Sequence, residues 1–190
     1  MADLDPQLSG ADQIQRPAQT ENFHQQLRAA TEACHQEVDD LFGGFDLTDP
    51  SAYAGFLTAH AKALLAIEDW LDPASLLPGL TRRGDALRSD LQALGQAVPS
   101  IQPIDWARDE ASLWGAAYVV EGSRLGGLML SRRVPDGLPH AYLSSAHPAG
   151  GWRAFLAALN EKATLGGTIW QEAATRSAVR AFAHYGRAVG

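Results

Sequence analysis

The chain has 190 residues with 15 Lys and Arg against 22 Asp and Glu, a formal charge of −7. That fits one ordinary domain and lacks the basic footprint that nucleic acid or an anionic membrane surface requires. Hydrophobic residues at 46% and charged residues at 19% exclude disorder throughout, and the longest apolar run, near Trp114 to Val120, falls far short of the roughly 20 residues that cross a bilayer. The single cysteine, Cys34, cannot form an internal disulfide, and the opening residues have neither the basic start nor the apolar core of a signal peptide. A cytoplasmic protein is expected.

Residues 1–20 are rich in Gln, Asp, Pro and Ala with few large apolar side chains. A disordered tail is expected there, ahead of one helical domain over 21–190. From Phe23 the apolar residues Leu27, Ala30, Cys34, Val38 and Leu41 recur at steps of three or four, which predicts an amphipathic helix ending at Gly43-Gly44. Thr48-Asp49-Pro50 opens a second helix carrying Tyr53, Phe56, Leu57, His60, Leu64, Ile67 and Leu71, and Asp72-Pro73 closes it. Leu80, Leu87, Leu91 and Leu94 suggest a shorter helix stopped by Gly95. A long helical segment is expected within Asp105 to Arg133, then a loop rich in Pro, Gly and Ser, then helical periodicity over Trp152 to Lys162 and Thr168 to Arg187. No alternating strand pattern competes, so the fold class is all-α.

His35 on the first helix is one candidate for chemistry. It reads either as a metal ligand or as a core histidine bonded to a carbonyl. Arg28 lies seven residues earlier, two turns or roughly 10 Å along nearly the same side. Asp39, four residues later, is placed to accept from the second ring nitrogen. Cys34 adjoins His35, but Thr31 to His35 lacks the first cysteine of the C-x-x-C-H attachment pattern, so any haem would be held without a covalent link. Of the other histidines, His60 reads as a satisfied core residue, and His24, His140, His147 and His184 form no zinc spacing. The tryptophans are core or rim anchors by default, with Trp106 and Trp114 candidates to border a pocket.

The second candidate is the run from Tyr118 to Gly127, Tyr-Val-Val-Glu-Gly-Ser-Arg-Leu-Gly-Gly. Each glycine inside a helix costs about 1 kcal/mol against alanine. Gly122 and Gly126, four apart, make a strip without side chains that admits either a neighbouring helix or a flat ligand. A dinucleotide fingerprint fails, because the glycine order is wrong and no strand precedes it. Arg124 reads as solvated or salt-bridged, and the pairs Asp39-Asp40 and Asp109-Glu110 read as solvated faces.

Leu27-Arg28-Ala29-Ala30-Thr31 with His35, the Tyr118 to Gly127 run, and Gly151-Trp152-Arg153-Ala154-Phe155-Leu156 together resemble the haem oxygenase family, above all its bacterial branch associated with phytochromes. The resemblance implies a single-domain helical bundle with haem between the first helix and a glycine-containing distal helix. It makes His35 the axial ligand of the haem iron, Gly122, Gly126 and Gly127 the distal glycines, and Arg28 and Arg153 the partners of the haem propionates. Gly122, Ser123 and Gly126 become the catalytic positions. Haem would be both cofactor and substrate, opened with O2 to biliverdin with release of iron and carbon monoxide. Electrons would come from a ferredoxin or a flavoprotein reductase, and the product could serve a phytochrome. Two positions depart from the family pattern. Ser123 stands where many members have an aspartate that orders proton-delivering water, and Ala117 stands where many have a propionate-contacting tyrosine. Tyr118, one residue on, is kept as a cofactor contact although its offset favours packing elsewhere. The alternative that Ser123 motivates is a non-catalytic haem-binding sensor or carrier of the same fold.

Overall fold

The computed structural model describes residues 22–77 and 79–190, so the tail expected over 1–20 lies outside the described residues. The regular structure of these residues is helical: α1 (Phe23–Gly43), α2 (Pro50–Leu71), a 3-10 turn (Pro73–Ser75), α3 (Gly84–Ala93), α4 (Glu110–Ser131) and α5 (Gly151–Ala188). The all-α reading is borne out, with helix ends close to the expected ones.

α1 buries Phe23, Leu27, Thr31 and Phe42 on one stripe. Thr31 takes the place expected of Ala30, its hydroxyl donating to the Leu27 carbonyl at 2.8 Å, while Ala30 and Leu41 are exposed. α2 begins where the Asp49 carboxylate accepts from the Ala52 amide at 2.7 Å, with Pro50 behind it. It stops at Asp72, which adopts a left-handed conformation before Pro73. Tyr53, Phe56, Leu57, Ala61, Leu64, Ile67 and Leu71 are all essentially inaccessible. A helix this apolar around its circumference belongs at the centre of a bundle, and α2 packs against α3, α4 and α5. Leu80 lies ahead of α3 rather than in it. α3 starts where the Glu68 carboxylate accepts from the amides of Arg83 at 2.7 Å and Gly84 at 2.9 Å. Asp109, read as part of a solvated face, caps α4 by accepting from the Ser112 amide at 2.9 Å. Glu110 reaches α5 through Lys162 at 2.5 Å and the Trp170 indole N–H at 3.3 Å.

α5 joins the two expected C-terminal helices across a break at Gly167, with φ 65° and ψ −165°. α1 runs alongside its second half in the same direction, with Phe23 5.8 Å from Trp170 and His35 5.3 Å from Phe182. α4 runs against its first half in the opposite direction, from Lys162 beside Glu110 to Trp152 at 6.0 Å from Tyr118. The loop between α4 and α5 is tied to the core. Tyr53 donates to the Pro139 carbonyl at 2.8 Å, and Asp90 accepts from the amides of Ala141 and Tyr142 at 3.1 and 2.8 Å.

The Gly167 conformation is one that only glycine adopts without strain. Gly167→Ala is expected to lower stability by about 1–3 kcal/mol, measured by urea unfolding of the ligand-free protein. Loss below 0.5 kcal/mol would show that α5 straightens at little cost.

Candidate functional site

Arg28, His35 and Asp39 share the outward face of α1, and all three are exposed. His35 is 60% exposed and tilts against Phe182, so the reading as a core histidine is overturned. Its Nε2 stands 3.6 Å from the Asp39 carboxylate. That is beyond a hydrogen bond, so Asp39 lies beside the ring without fixing its tautomer. Cys34 is half-buried behind it, its thiol donating to the Thr31 carbonyl at 3.1 Å, a packing role.

The glycines of α4 divide by what surrounds them. A Cβ on Gly115 would lie 2.0 Å from the Ala174 carbonyl oxygen, so Gly115 is where α4 and α5 cross most closely. A Cβ on Gly127 would lie 3.1 Å from the Leu143 carbonyl oxygen. Gly127 is buried and packs on the loop, unlike the other two glycines expected to line the cofactor. Gly126 faces open space, and a Cβ on Gly122 would meet only the Trp152 ring edge at an ordinary 3.6 Å. Neither glycine is required by protein packing. Leu125 and Met129 lie exposed on the same side, Met129 at 70%.

The two faces are linked through Arg28 of α1 and Tyr118 of α4. The Arg28 charge reaches Tyr118 and pulls its phenol down, against the larger upward push of burial. Tyr118 is half-buried against Trp152. Arg153 is exposed, its guanidinium beside Gly150 at the start of α5. Trp114 is in the core, stacked on Phe155, and Trp106 packs on Trp70 and His184. Neither borders this face.

No protein-family model matches the chain. A heme oxygenase of Xanthomonas campestris is 39% identical over 128 residues, which are 60% of this chain and 75% of the relative. The chain belongs to the haem oxygenase family. A heme oxygenase of Neisseria meningitidis, solved with NO and CO bound, superposes with a TM-score of 0.74 at 26% identity, over 88% of this chain and 90% of that one. The heme oxygenase of Leptospira interrogans shares the fold, with a TM-score of 0.67 at 18% identity over 89% and 98% of the two chains. The all-helical bundle is thus the fold of haem oxygenases.

Behind the glycine strip, α4 carries a buried polar layer that the linear spacing did not reveal. Arg124, expected to be solvated or salt-bridged, is a buried ion-pair partner of Glu121 at 2.8 Å. It also donates to the carbonyls of Thr81 and Ser145. His147 reaches the same Glu121 oxygen at 2.9 Å and faces Trp152 at 5.7 Å. Burial pushes the His147 ring below its usual range, and Glu121 opposes that push. Ser123 turns away from the open face: it donates to the Val120 carbonyl at 2.7 Å and accepts from Arg83 at 2.6 Å. Arg83, which sequence reading did not single out, is 2% exposed and lies over the Tyr142 ring. Tyr142 shares a 2.8 Å hydrogen bond with His60, so His60 is the satisfied interior histidine expected. Forty positions separate Arg83 from Ser123, and no motif could have linked them.

Two outcomes follow from this geometry. Gly126→Ala is expected to stabilise the ligand-free protein by about 0.5–1 kcal/mol, whereas Gly115→Ala is expected to destabilise it by about 1–3 kcal/mol through overpacking. Equal signs in urea unfolding would contradict the division of the glycines. Burial holds His60 down at about 3, against 6.5. The unfolded chain therefore binds an extra proton below pH 6.5, and stability falls as pH drops from there toward 3. His60→Gln is expected to remove on the order of 1 kcal/mol of the loss between pH 6.5 and 5, read as a flatter melting-temperature profile. His147 and His184, shifted in the same direction, leave a residual slope.

Proposed function

We propose that His35 is the axial ligand for haem lying between the outward faces of α1 and α4, with Gly122 and Gly126 as the wall on the opposite side. The observation that carries this reading is the open glycine strip. Two helix-interior glycines together disfavour α4 by about 2 kcal/mol, and no packing contact requires them. The donor set suits haem. One imidazole supplies one ligand, and the macrocycle supplies the rest. Arg28 on α1 and Arg153 on α5 are exposed cations suited to the propionates, and the flanking Leu125 and Met129 give the macrocycle apolar cover. Tyr118 lies at the Arg28 end of the strip.

Haem oxygenases are enzymes of haem degradation, and this chain is one of them. Bound haem supplies the redox chemistry, its ring opening with O2 and external electrons to biliverdin, iron and carbon monoxide. The chain's own residues bind and orient. His35 holds the iron from one side, the cations fix the rotation of the ring, and the glycine backbone sets how much room remains opposite His35. A ferredoxin or flavoprotein reductase is proposed as the electron donor, and a phytochrome as the recipient of biliverdin. The acidic balance and the lone cysteine support a cytoplasmic setting. No helix among the described residues is long and apolar enough to cross a membrane. One helical domain over 21–190 is proposed as the functional unit.

His35→Ala is expected to abolish the ferric Soret band and leave unfolding within about 0.5 kcal/mol of wild type, because the side chain is exposed. Arg28→Ala is expected to weaken haem binding about two- to fivefold, as partly exposed ion pairs do, with an unchanged axial-ligand spectrum. Wild-type protein with equimolar hemin, a ferredoxin-based electron source and catalase in air should lose its Soret band as a red-absorbing biliverdin band grows. A persistent Soret band would point instead to haem storage or sensing.

A further inference from the structure

Arg83 is a buried cation with no carboxylate in direct contact with its guanidinium among the described residues. Its Nη2 donates to the Val120 carbonyl at 2.8 Å and to the Ser123 hydroxyl at 2.6 Å. Its carbon lies 5.1 Å from the centre of the Tyr142 ring, and its Nε has no hydrogen-bond partner. The surrounding acids hydrogen-bond other groups, although Glu68 feels the Arg83 charge without touching its guanidinium. Glu68 of α2 directs its two oxygens at the backbone amides of Arg83 and Gly84, and Glu121 of α4 is held by Arg124 and His147. The other polar groups that feel the Arg83 charge are His60 of α2, Tyr142 and His147 of the loop, and Tyr185 of α5, whose hydroxyl is also unpartnered. Burying an unpaired charge is costly, and a methionine would fill such a site without that cost. The charge sits behind the turn of α4 that carries Gly122, in a medium where charges act over longer distances than in water.

Ser123 cannot take over as a donor. A hydroxyl has one proton to give, and here it goes to the Val120 carbonyl while the oxygen accepts from Arg83. We propose that Arg83 is a positioning residue for the open side of α4, whose buried positive charge favours anionic over neutral ligands in front of Gly122 and Gly126, with Ser123 as its support. This rests on the haem reading above and adds a source of polarity on the open side of α4.

The test uses hemin-loaded full-length wild type, Arg83→Met, Arg83→Lys and Ser123→Ala, each checked for folding by melting of the ligand-free form. Fluoride and azide are titrated into the ferric complexes and carbon monoxide into the ferrous ones, all followed at the Soret band. Arg83→Met is expected to weaken fluoride and azide about tenfold and leave carbon monoxide within about twofold, because removing a charge affects only the charged ligand. Arg83→Lys should recover the anions to within about threefold of wild type, and Ser123→Ala should lie within about threefold as well. The proposal is overturned by unchanged anion affinity in Arg83→Met, by a parallel loss of carbon monoxide, or by a Ser123→Ala effect as large as that of Arg83→Met. Should Arg83→Met fail to fold, Ser123→Asp sets a carboxylate against the guanidinium and is expected to give the same anion-selective loss; undiminished anion binding there would overturn the idea equally. A wild type that shows no Soret band sinks the haem reading and this inference together, whereas a normal Soret band with unaltered anion selectivity sinks this inference alone.

Discussion

Gly167 interrupts α5 with φ 65° and ψ −165°, and both halves pack on α4 while only the second carries α1 along its length. α1 follows the second half in parallel, whereas α4 runs against the first half beyond Tyr118 and meets the second half through its first turns, at Gly115 and Ala174. Each of these helices satisfies its apolar stripe on α5 or α2. Their other faces are therefore left without a helical partner, and those are the faces that carry His35 and the Gly122–Gly126 strip. An unbroken α5 would not hold the same two neighbours along these directions, so the candidate site depends on one backbone conformation well away from it.

Holding α4 in place with an open front demands strong attachment behind it. The Glu121–Arg124 pair and His147 lock α4 to the loop before α5. Glu68 fixes the start of α3, and with it Arg83. Breaking one partner of such a buried network strands the others, which costs far more than an exposed ion pair contributes. The arrangement explains why the glycine strip can lack side chains without α4 becoming loose: its register is set by charges on the far side rather than by contacts at the strip. The aromatic ladder of His147, Trp152, Phe155 and Trp114 then closes the edge beside Gly122.

The helices were legible because their signals are local. Asp49-Pro50, Gly43-Gly44 and the apolar steps of α1 and α2 each act within a turn or two. His35 and the glycine run were legible for the same reason, each candidate lying on a single helix. The role of each glycine was not. Gly122, Gly126 and Gly127 look alike in sequence, yet Gly127 meets the Leu143 backbone and Gly126 meets nothing, a difference created by a loop residue sixteen positions away. Gly115 drew no attention although its contact with α5 is the tightest. Asp109, taken for solvent-facing charge, is a helix cap. Arg83 and Tyr142 join the site only through tertiary contacts, which no spacing rule encodes.

The charge distribution gives these placements a common logic. The chain is acidic overall at −7, a balance that works against anionic ligands at long range. Against that background, Arg28 stands exposed within reach of Tyr118, and Arg153 stands exposed next in sequence to Trp152, the ring that packs on Tyr118, beside an apolar, glycine-floored face. A planar apolar ligand carrying carboxylates at one edge meets local attraction at that edge and apolar surface elsewhere. A diffuse anion meets neither. Exposed cations are screened by salt within about 8–10 Å, so they can orient such a ligand without binding it tightly alone. A buried cation is screened far less. Two kinds of positive charge on an acidic protein thus separate two tasks: the exposed pair selects the edge of the ligand, and the buried guanidinium of Arg83, anchored through Val120 and Ser123, sets the polarity of the face of α4 that the ligand would meet.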